Sequence, residues 1–153
     1  MGNHEDMLLE YVSHGDITWR VNGYEATLAS SRGYYEQFLD DIKWMENLPT
    51  YFEDDKFIYV HAGINPWIAM EKQSYSTLIW TREKFYNWEN SLGKRVVFGH
   101  TPTQLINGQA LPIEVNGNIA LDTGCVFGGN LTALMIDGDK VEFMQTEGEI
   151  DEE

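Results

Sequence analysis

The spacing of hydrophobic residues in the first half of the chain predicts helices. After the polar residues 3–6, apolar side chains recur three or four positions apart in two segments. Residues at such spacings share one face of an α-helix, and that face has to be buried against other elements. The two faces consist of Met7, Leu8, Tyr11 and Val12, and of Tyr35, Phe38, Leu39, Ile42 and Met45.

From Lys56 onward the pattern changes to short runs of β-branched and aromatic residues, which are typical of buried strands. A third helix is predicted over residues 81–92, where Phe85, Trp88 and Leu92 lie three and four positions apart. The predicted strands are Phe57–Val60, 96–98, 119–121, 131–136 and 141–144, the last two joined by a hairpin turn at Asp137-Gly138. This mixture of helices and strands indicates an α/β or α+β fold class.

The charge of the chain argues against polyanionic partners. Its 153 residues, enough for one domain, include 25 acidic and 10 basic side chains, which give a formal net charge of −15. Because this charge repels nucleic acid and anionic membranes, neither is expected as a partner. The single cysteine, Cys125, excludes an intramolecular disulfide and a cysteine-based zinc site. With neither a signal peptide nor a membrane-spanning run evident in the sequence, we expect a cytoplasmic protein.

Two histidines directly follow predicted strands. His61 stands in Tyr59-Val60-His61-Ala62-Gly63, and His100 stands in Phe98-Gly99-His100-Thr101-Pro102. Loops beyond the strand ends of layered α/β proteins hold ligands, because a side chain there is rigidly supported and still reaches an open cleft. The glycine near each imidazole leaves room for a metal ion to approach. A buried histidine bonded to the backbone explains either residue taken singly, and it is the pair that favours a metal site.

The segment Gly2-Asn3-His4-Glu5-Asp6 opens the first predicted helix. A helix N-terminus carries unpaired N–H groups and a partial positive charge, which favour a phosphate oxygen or another oxyanion. The same residues also form an ordinary cap, with Asn3 as the N-cap and two acidic residues in the first turn. By itself, the segment is explained by capping.

Taken together, four blocks resemble the metallophosphoesterases, and among them the bacterial and phage-type Ser/Thr phosphoprotein phosphatases. In family order these blocks are Gly2-Asn3-His4-Glu5, His61-Ala62-Gly63, Gly99-His100-Thr101-Pro102 and the segment from Leu121-Asp122-Thr123-Gly124-Cys125 to Leu134. Residues 19–28 and 78–85 resemble further family segments, so the similarity runs along almost the whole chain. The resemblance implies a β-sandwich flanked by helices, and metal-dependent hydrolysis of phosphomonoesters.

The resemblance also implies roles for five residues. Asn3, His61 and His100 match ligands of the second of two metal ions. His4 matches the general acid, and Arg82 matches an arginine that holds the phosphate. A capping asparagine, buried histidines and a surface arginine are the alternative explanation. Because asparagine oxygen and imidazole nitrogen suit Mn²⁺, Fe or Zn²⁺ better than Ca²⁺, a divalent metal, manganese or else iron or zinc, is the expected cofactor.

Two blocks of the family pattern are missing from the sequence. Neither Asp-x-His nor Gly-Asp-x-x-Asp-Arg-Gly occurs, and these blocks provide the first metal's ligands and the bridging aspartate. We therefore expect an N-terminally truncated calcineurin-like phosphoesterase domain over residues 1–146 and a disordered acidic tail over residues 147–153. Such a chain is expected to bind one metal ion weakly, to be impaired in catalysis alone, and to self-associate through an uncovered sheet edge.

The expected function is that of a metal-dependent phosphomonoester hydrolase of the Ser/Thr protein phosphatase type, acting on a phosphorylated protein or a small phosphoester. One alternative is a symmetrical dinucleoside tetraphosphate hydrolase, which shares the Gly-Asn-His, Gly-His and Asp-Thr-Gly-Cys blocks. The other is a non-catalytic remnant that binds a metal or a partner chain. The stretch Trp80-Thr81-Arg82-Glu83-Lys84-Phe85 and the Gly-His-Thr-Pro form favour the protein phosphatase branch.

Overall fold

The computed structural model of the chain describes residues 1–31, 35–138 and 140–147. The chain divides into two compact units, Met1–Thr50 and Tyr51–Glu153. Residues 148–153 of the predicted acidic tail lie outside the described residues. No helix in the described part of the chain is long and apolar enough to cross a membrane.

The first unit consists of helices. Its elements are α1 (Asn3–His14), a 3-10 helix (Ile17–Val21), α2 (Tyr24–Ser30) and α3 (Tyr35–Met45). Helix α1 begins after Gly2, whose N–H donates to the Glu5 carboxylate at 3.0 Å, and ends at Gly15 in the left-handed conformation. Both helices predicted in the first half of the chain are confirmed, because α1 and α3 contain the two apolar faces.

The core of the first unit combines the apolar faces of its helices. The buried residues are Met7, Leu8, Trp19 and Ile42. Trp19 meets the rings of Tyr11 and Tyr24 edge-on, with ring centres 5.3 and 4.9 Å away. Edge-to-face pairs of this kind contribute about 0.5–1.5 kcal/mol beyond the burial of their surface. These contacts tie α1 and α2 to the 3-10 helix between them.

The second unit is built on a five-stranded mixed sheet. Its strands are β1 (Tyr51–Glu53), β2 (Phe57–Val60), β3 (Arg95–Phe98), β4 (Ile113–Val115) and β5 (Asn118–Ala120), in the order β1-β2-β3-β5-β4. The central strands β2, β3 and β5 are parallel, and the edge strands β1 and β4 are antiparallel to their neighbours. The three central strands are confirmed predictions. The edge strands escaped prediction because each has only three residues, too few to establish a period.

One face of the sheet is covered by a hairpin. Strands β6 (Asn130–Asp137) and β7 (Lys140–Glu147) pair antiparallel, which confirms the hairpin predicted at Asp137-Gly138. The core on this face contains the buried Phe57, Val97 and Ile119 of the sheet together with the partly buried Leu134, Ile136 and Val141 of the hairpin. Because side chains alternate along a strand, the neighbouring residues of the sheet face the opposite side.

Short helices contribute to the core on the opposite face. Helices α4 (Tyr75–Trp80) and α5 (Glu83–Tyr86) bury Leu78, Ile79 and Phe85, and the Phe85 ring meets Phe98 edge-on at 5.0 Å. Helix α6 (Thr103–Asn107) and two 3-10 helices (Met70–Lys72 and Cys125–Phe127) complete the unit. The α/β class predicted from the sequence is therefore confirmed.

The single helix predicted over residues 81–92 is wrong in extent. Thr81 and Arg82, between α4 and α5, are not helical, and α5 itself spans only Glu83–Tyr86. After α5 the Trp88 N–H donates to the Phe85 carbonyl at 2.9 Å, which closes a turn. The helical spacing therefore reflects a buried ring, Phe85, and a half-buried ring, Trp88, joined by a turn, which periodicity alone does not distinguish from a helix.

A fully buried asparagine joins the central strands. The Oδ1 atom of Asn118 accepts the Val96 N–H at 3.1 Å and the Nδ2 of Asn90 at 2.7 Å. Its own Nδ2 donates to the Asn116 carbonyl at 3.4 Å. Buried polar groups are stable only when they are hydrogen-bonded, so this side chain fixes β3, β5 and the loop before β3 at one point.

We predict that Asn118→Leu lowers the free energy of unfolding by about 1–3 kcal/mol, because it takes the acceptor away from the buried Val96 N–H and the half-buried Asn90 amide. Urea denaturation followed by tryptophan fluorescence measures the loss. Asn107→Leu is the control, since Asn107 is exposed and accepts the Gln109 N–H at the surface; its effect should stay within about 0.5 kcal/mol. Equal losses in the two variants would contradict the role given to Asn118.

Candidate functional site

Two of the predicted site residues lie together at one edge of the sheet. His61 directly follows β2, and His100 lies two residues beyond β3. Because β2 and β3 are parallel neighbours, their carboxyl ends meet at the same edge. The centres of the two imidazole rings are 5.2 Å apart, and the Gly99 N–H donates to the His61 carbonyl at 2.8 Å. We call His61 and His100 the histidine pair; their role as metal ligands stays a prediction.

His100 stands in a strained turn. Its φ is 65°, in the left-handed region that residues with a Cβ rarely adopt. The Thr101 N–H donates to the Gly99 carbonyl at 2.7 Å, which closes a γ-turn around His100. Such a backbone persists only where its surroundings hold it, and strained residues of this kind cluster at active sites. At 7% exposure, the His100 ring is held inside the protein.

Arg82 provides part of the support for this turn. Its Nη1 donates to the His100 carbonyl at 3.0 Å and to the Thr101 hydroxyl at 3.2 Å. Trp80, two residues earlier, sets its ring edge-on against the His100 ring at 5.6 Å. The end of α4 and the residues that follow it therefore contact both the ring and the backbone of His100, and they bring the predicted phosphate-binding arginine to His100.

The third parallel strand ends in the same region. Asp122 lies two residues beyond β5, and its carboxylate accepts the Gly124 N–H at 3.0 Å. A Cβ built on Gly99 would lie 3.5 Å from the Cβ of Asp122, so this aspartate borders the His100 turn. Asp122, Trp80 and Thr101 all lie in segments that carry the resemblance, but none of them is among the predicted site residues. The position of Asp122 just beyond β5 matches that of the histidines beyond β2 and β3, and this is the signal that points to it.

Asn3 and His4 lie in the first unit, at the start of α1. Asn3 is buried and His4 is exposed. The N-cap of this helix is Gly2, joined to Glu5, so the alternative explanation of Asn3 as the N-cap is wrong. The roles predicted for Asn3 as a metal ligand and for His4 as the general acid stay predictions.

The donor atoms near the sheet edge fit a metal ion only in part. Within the described residues, no group of three or more His, Cys, Asp or Glu side chains is arranged to hold a metal ion. Two imidazoles that bind one ion through nitrogen at about 2.0–2.1 Å have ring centres roughly 5 Å apart, which agrees with the observed 5.2 Å. Imidazole nitrogen suits zinc and iron at least as well as manganese. The histidine pair therefore fits a divalent metal as two of its ligands.

A neutral tyrosine lies close to Arg82. Burial raises the pKa of Tyr86, the neighbouring Glu83 carboxylate raises it further, and the Arg82 guanidinium opposes them. The phenol is therefore protonated at neutral pH and does not offset the positive charge of Arg82.

Gly63 is required by packing. Its φ is 149°, and a Cβ at this position would overlap the ring of Phe85 and lie 2.8 Å from Cγ2 of Thr81. Gly99, by contrast, has its nearest atoms at ordinary contact distances of 3.5 and 3.6 Å. The glycine after His61 thus allows the loop to pack against the buried ring of α5, a different role from the room for a metal ion predicted from the sequence.

In sequence, the chain is similar to dinucleoside tetraphosphatases. It is 31% identical over 156 residues to the asymmetrical bis(5'-nucleosyl)-tetraphosphatase PrpE of Anoxybacillus flavithermus, a match that covers 87% of this chain and 60% of that protein. It is 28% identical over 154 residues to the PrpE of Bacillus subtilis, with coverage of 86% and 59%. It is 25% identical over 143 residues to the symmetrical enzyme of Nitrosococcus oceani, with coverage of 92% and 43%. No protein-family model matches the chain.

In fold, the chain is similar to a solved structure of a protein proposed to be a diadenosine tetraphosphatase. The TM-score is 0.63 at 22% sequence identity, and the match covers 94% of this chain and 66% of the other. The predicted metallophosphoesterase-type fold is confirmed. In sequence, the chain spans about 60% of the length of the PrpE relatives that it matches.

These comparisons correct the predicted function. The assignment to the Ser/Thr protein phosphatase type, with a phosphorylated protein as substrate, is wrong, because the matching relatives are named as tetraphosphatases of both symmetrical and asymmetrical kinds. The physical reason is that the four sequence blocks resemble segments for metal and phosphate chemistry, which both classes of hydrolase need. Blocks of this kind do not encode the substrate, whose recognition depends on residues outside them.

We predict that Gly63→Ala destabilises the second unit more than a glycine substitution in open space. The added methyl group forces Phe85 or the loop to shift, and such overpacking typically costs about 1–3 kcal/mol on top of the strain of a positive φ. Gly108→Ala is the control, because Gly108 also has a positive φ of 82° and a Cβ there would meet nothing within 4 Å. Urea unfolding compares the two variants, and an equal effect would rule out the packing role of Gly63.

Proposed function

We propose that this chain belongs to a metal-dependent hydrolase of dinucleoside tetraphosphates and that the histidine pair with Arg82 forms part of its phosphate-cleaving site. The observation that carries the proposal is the similarity to a bis(5'-nucleosyl)-tetraphosphatase along 87% of the chain. Since the chain spans 60% of that relative, the proposal concerns the matched part within such an enzyme. The proposal is supported by the fold, because the loops after β2, β3 and β5 lie at one edge of the sheet and one of them contains the strained His100.

The histidine pair would hold a divalent ion of zinc, iron or manganese. When bound, such an ion lowers the pKa of a coordinated water and stabilises negative charge on phosphoryl oxygens. The turn around His100 is held by Arg82 from outside, so the imidazole is oriented before the ion arrives. Preorganised ligands lose less freedom on binding than ligands that must first be ordered.

Arg82 is the cation proposed to meet the phosphate chain. The guanidinium has five N–H donors in a planar fork, and the donors of Nη1 are directed at His100 and Thr101. The other donors are of the kind that binds a phosphate oxygen. In a chain of net charge −15, a tetraphosphate needs such a local cation, because the overall field opposes its approach.

The change of substrate class also changes what a general acid contributes. A nucleotide phosphate leaves as a weak base, because the second pKa of a phosphate ester is about 6. An alkoxide leaving from a phosphorylated serine is far more basic and needs protonation in the transition state. His4, if it acts as the predicted general acid, therefore contributes less to tetraphosphate hydrolysis than to protein dephosphorylation.

Hydrolysis of diadenosine tetraphosphate by the 153-residue chain with Mn²⁺ or Zn²⁺ tests the proposal. We expect two molecules of ADP if the cleavage is symmetrical and ATP with AMP if it is asymmetrical, both resolved by ion-exchange chromatography. Removal of the metal with EDTA and the variant His61→Ala should each abolish the products, because both take away the ion. A phosphoserine peptide and p-nitrophenyl phosphate serve as competing substrates.

Faster turnover of the phosphoserine peptide than of diadenosine tetraphosphate would overturn the proposal. Metal-dependent binding of diadenosine tetraphosphate without any product would instead support the non-catalytic alternative, a metal-binding and ligand-binding remnant. The coverage of 60% of the PrpE relative makes that second candidate worth measuring in the same samples by calorimetry.

We predict that Arg82→Met weakens metal binding in the absence of phosphate, by about 10- to 100-fold, because the His100 turn loses its support. If the only role of Arg82 were to bind phosphate, removing its positive charge would leave metal affinity unchanged or raise it. A loss of metal affinity therefore supports the positioning role, and an unchanged or higher affinity contradicts it. Calorimetry with Zn²⁺ measures the affinity. Lys84→Met is the matched control, since Lys84 is an exposed cation two residues away.

A further inference from the structure

The loop that follows the first histidine presents an exposed tryptophan on a tight turn. Trp67 is 78% exposed, the largest fraction among the five tryptophans of the chain. Its backbone N–H donates to the side-chain Oδ1 of Asn65 at 3.1 Å. The backbone N–H of Ile68 donates to the backbone carbonyl of Asn65, also at 3.1 Å. Asparagine followed by proline at the first two positions of a β-turn favours this geometry. The turn therefore holds Trp67 at its third position, facing solvent.

Gln73 fastens the turn from the other side of the loop. Its Oε1 accepts the Asn65 N–H at 2.8 Å, and its Nε2 donates to the carbonyls of Asn65 and Ile68, each at 2.7 Å. A segment closed by its own side chains in this way has the construction of a compact Ω-loop, a class that is frequently functional. Since the backbone around Trp67 is tied by these bonds, the exposure of the ring does not result from a loose loop.

Both ends of the loop are anchored beside the histidine pair. The Ala62 N–H, next to His61, donates to the Leu78 carbonyl at 2.9 Å. Trp80, two residues beyond Leu78, contacts the His100 ring. Trp67 lies six positions after His61, a stretch that spans at most about 20 Å when fully extended, and the turn shortens it. The loop that presents the exposed ring therefore begins and ends beside the histidine pair.

We propose that Trp67 is the stacking surface for a nucleobase of the substrate, at the end of the phosphate chain remote from the histidine pair. The inference rests on the proposed function, because a dinucleoside tetraphosphate carries a planar base at each end. Stacking suits this chain, since the base is uncharged and the net charge of −15 opposes the tetraphosphate. Every base has a π-face, so this subsite selects nucleotides over simple phosphates without selecting one base.

Calorimetry with ADP and with inorganic pyrophosphate, both in the presence of Mn²⁺, tests the subsite. We expect Trp67→Leu to weaken ADP binding by about 5- to 100-fold and to leave pyrophosphate binding unchanged, because only ADP carries a base. Trp67→Phe should retain most of the ADP affinity. Trp44→Leu is the matched control: Trp44 is also an exposed tryptophan, 63% exposed, and stands on α3 of the first unit.

The outcomes separate this inference from the function on which it rests. Unchanged ADP affinity in Trp67→Leu, or an equal loss for ADP and pyrophosphate, would overturn the stacking role and leave the phosphate site standing. If the wild type binds neither phosphate compound, the proposed function fails, and titration with adenosine alone then decides about Trp67. Adenosine should quench the tryptophan fluorescence of the wild type and of Trp44→Leu but not that of Trp67→Leu. A wild type whose fluorescence adenosine does not quench would refute the subsite.

Discussion

The parallel pairing of β2, β3 and β5 is the constraint on which the second unit depends. Parallel neighbours bring their carboxyl ends to one edge, and with them the loops that contain His61, His100 and Asp122. Such strands need cover on both faces, since parallel sheets are stable when buried. The hairpin β6–β7 covers one face, and α4 and α5 bury apolar side chains on the other. The position of the candidate site thus follows from how the sheet is paired and covered.

Two non-glycine residues in the described part of the chain have a positive φ: Asn116 in the turn between β4 and β5, and His100, which lies where the chemistry is proposed. His100 adopts a positive φ at the end of a buried strand, and Arg82 donates two hydrogen bonds to the turn that it forms. In the loop after His61, the ring of Phe85 occupies the space in which a side chain at position 63 would lie, so this position needs glycine. Departures from local preference that are compensated by neighbouring contacts are expected at functional sites.

In the proposed function, chemistry and substrate choice are assigned to different parts of the chain. The histidine pair and Arg82 stand in short motifs whose resemblance is to metal-dependent phosphoesterases in general, and these motifs gave the wrong substrate class. Residues such as Trp67 stand between the motifs, in loops whose shape no motif describes. Whole-chain similarity compares these loops as well, which explains why it separates tetraphosphatases from protein phosphatases where the motifs do not.

By itself, the sequence determined the helices α1 and α3, the three parallel strands and the hairpin, because each has a periodic or alternating run of apolar residues. It also determined that His61 and His100 follow strands, since a histidine after a β-branched run is a local pattern. Tertiary structure decided the rest. The edge strands are too short to establish a period, the spacing of Phe85 and Trp88 reflects a turn, and the Arg82 side chain donates to the carbonyl of His100, 18 positions away in the chain. Such contacts form when distant segments pack, and the free energy of that packing depends on pairs of residues that no single stretch of sequence contains.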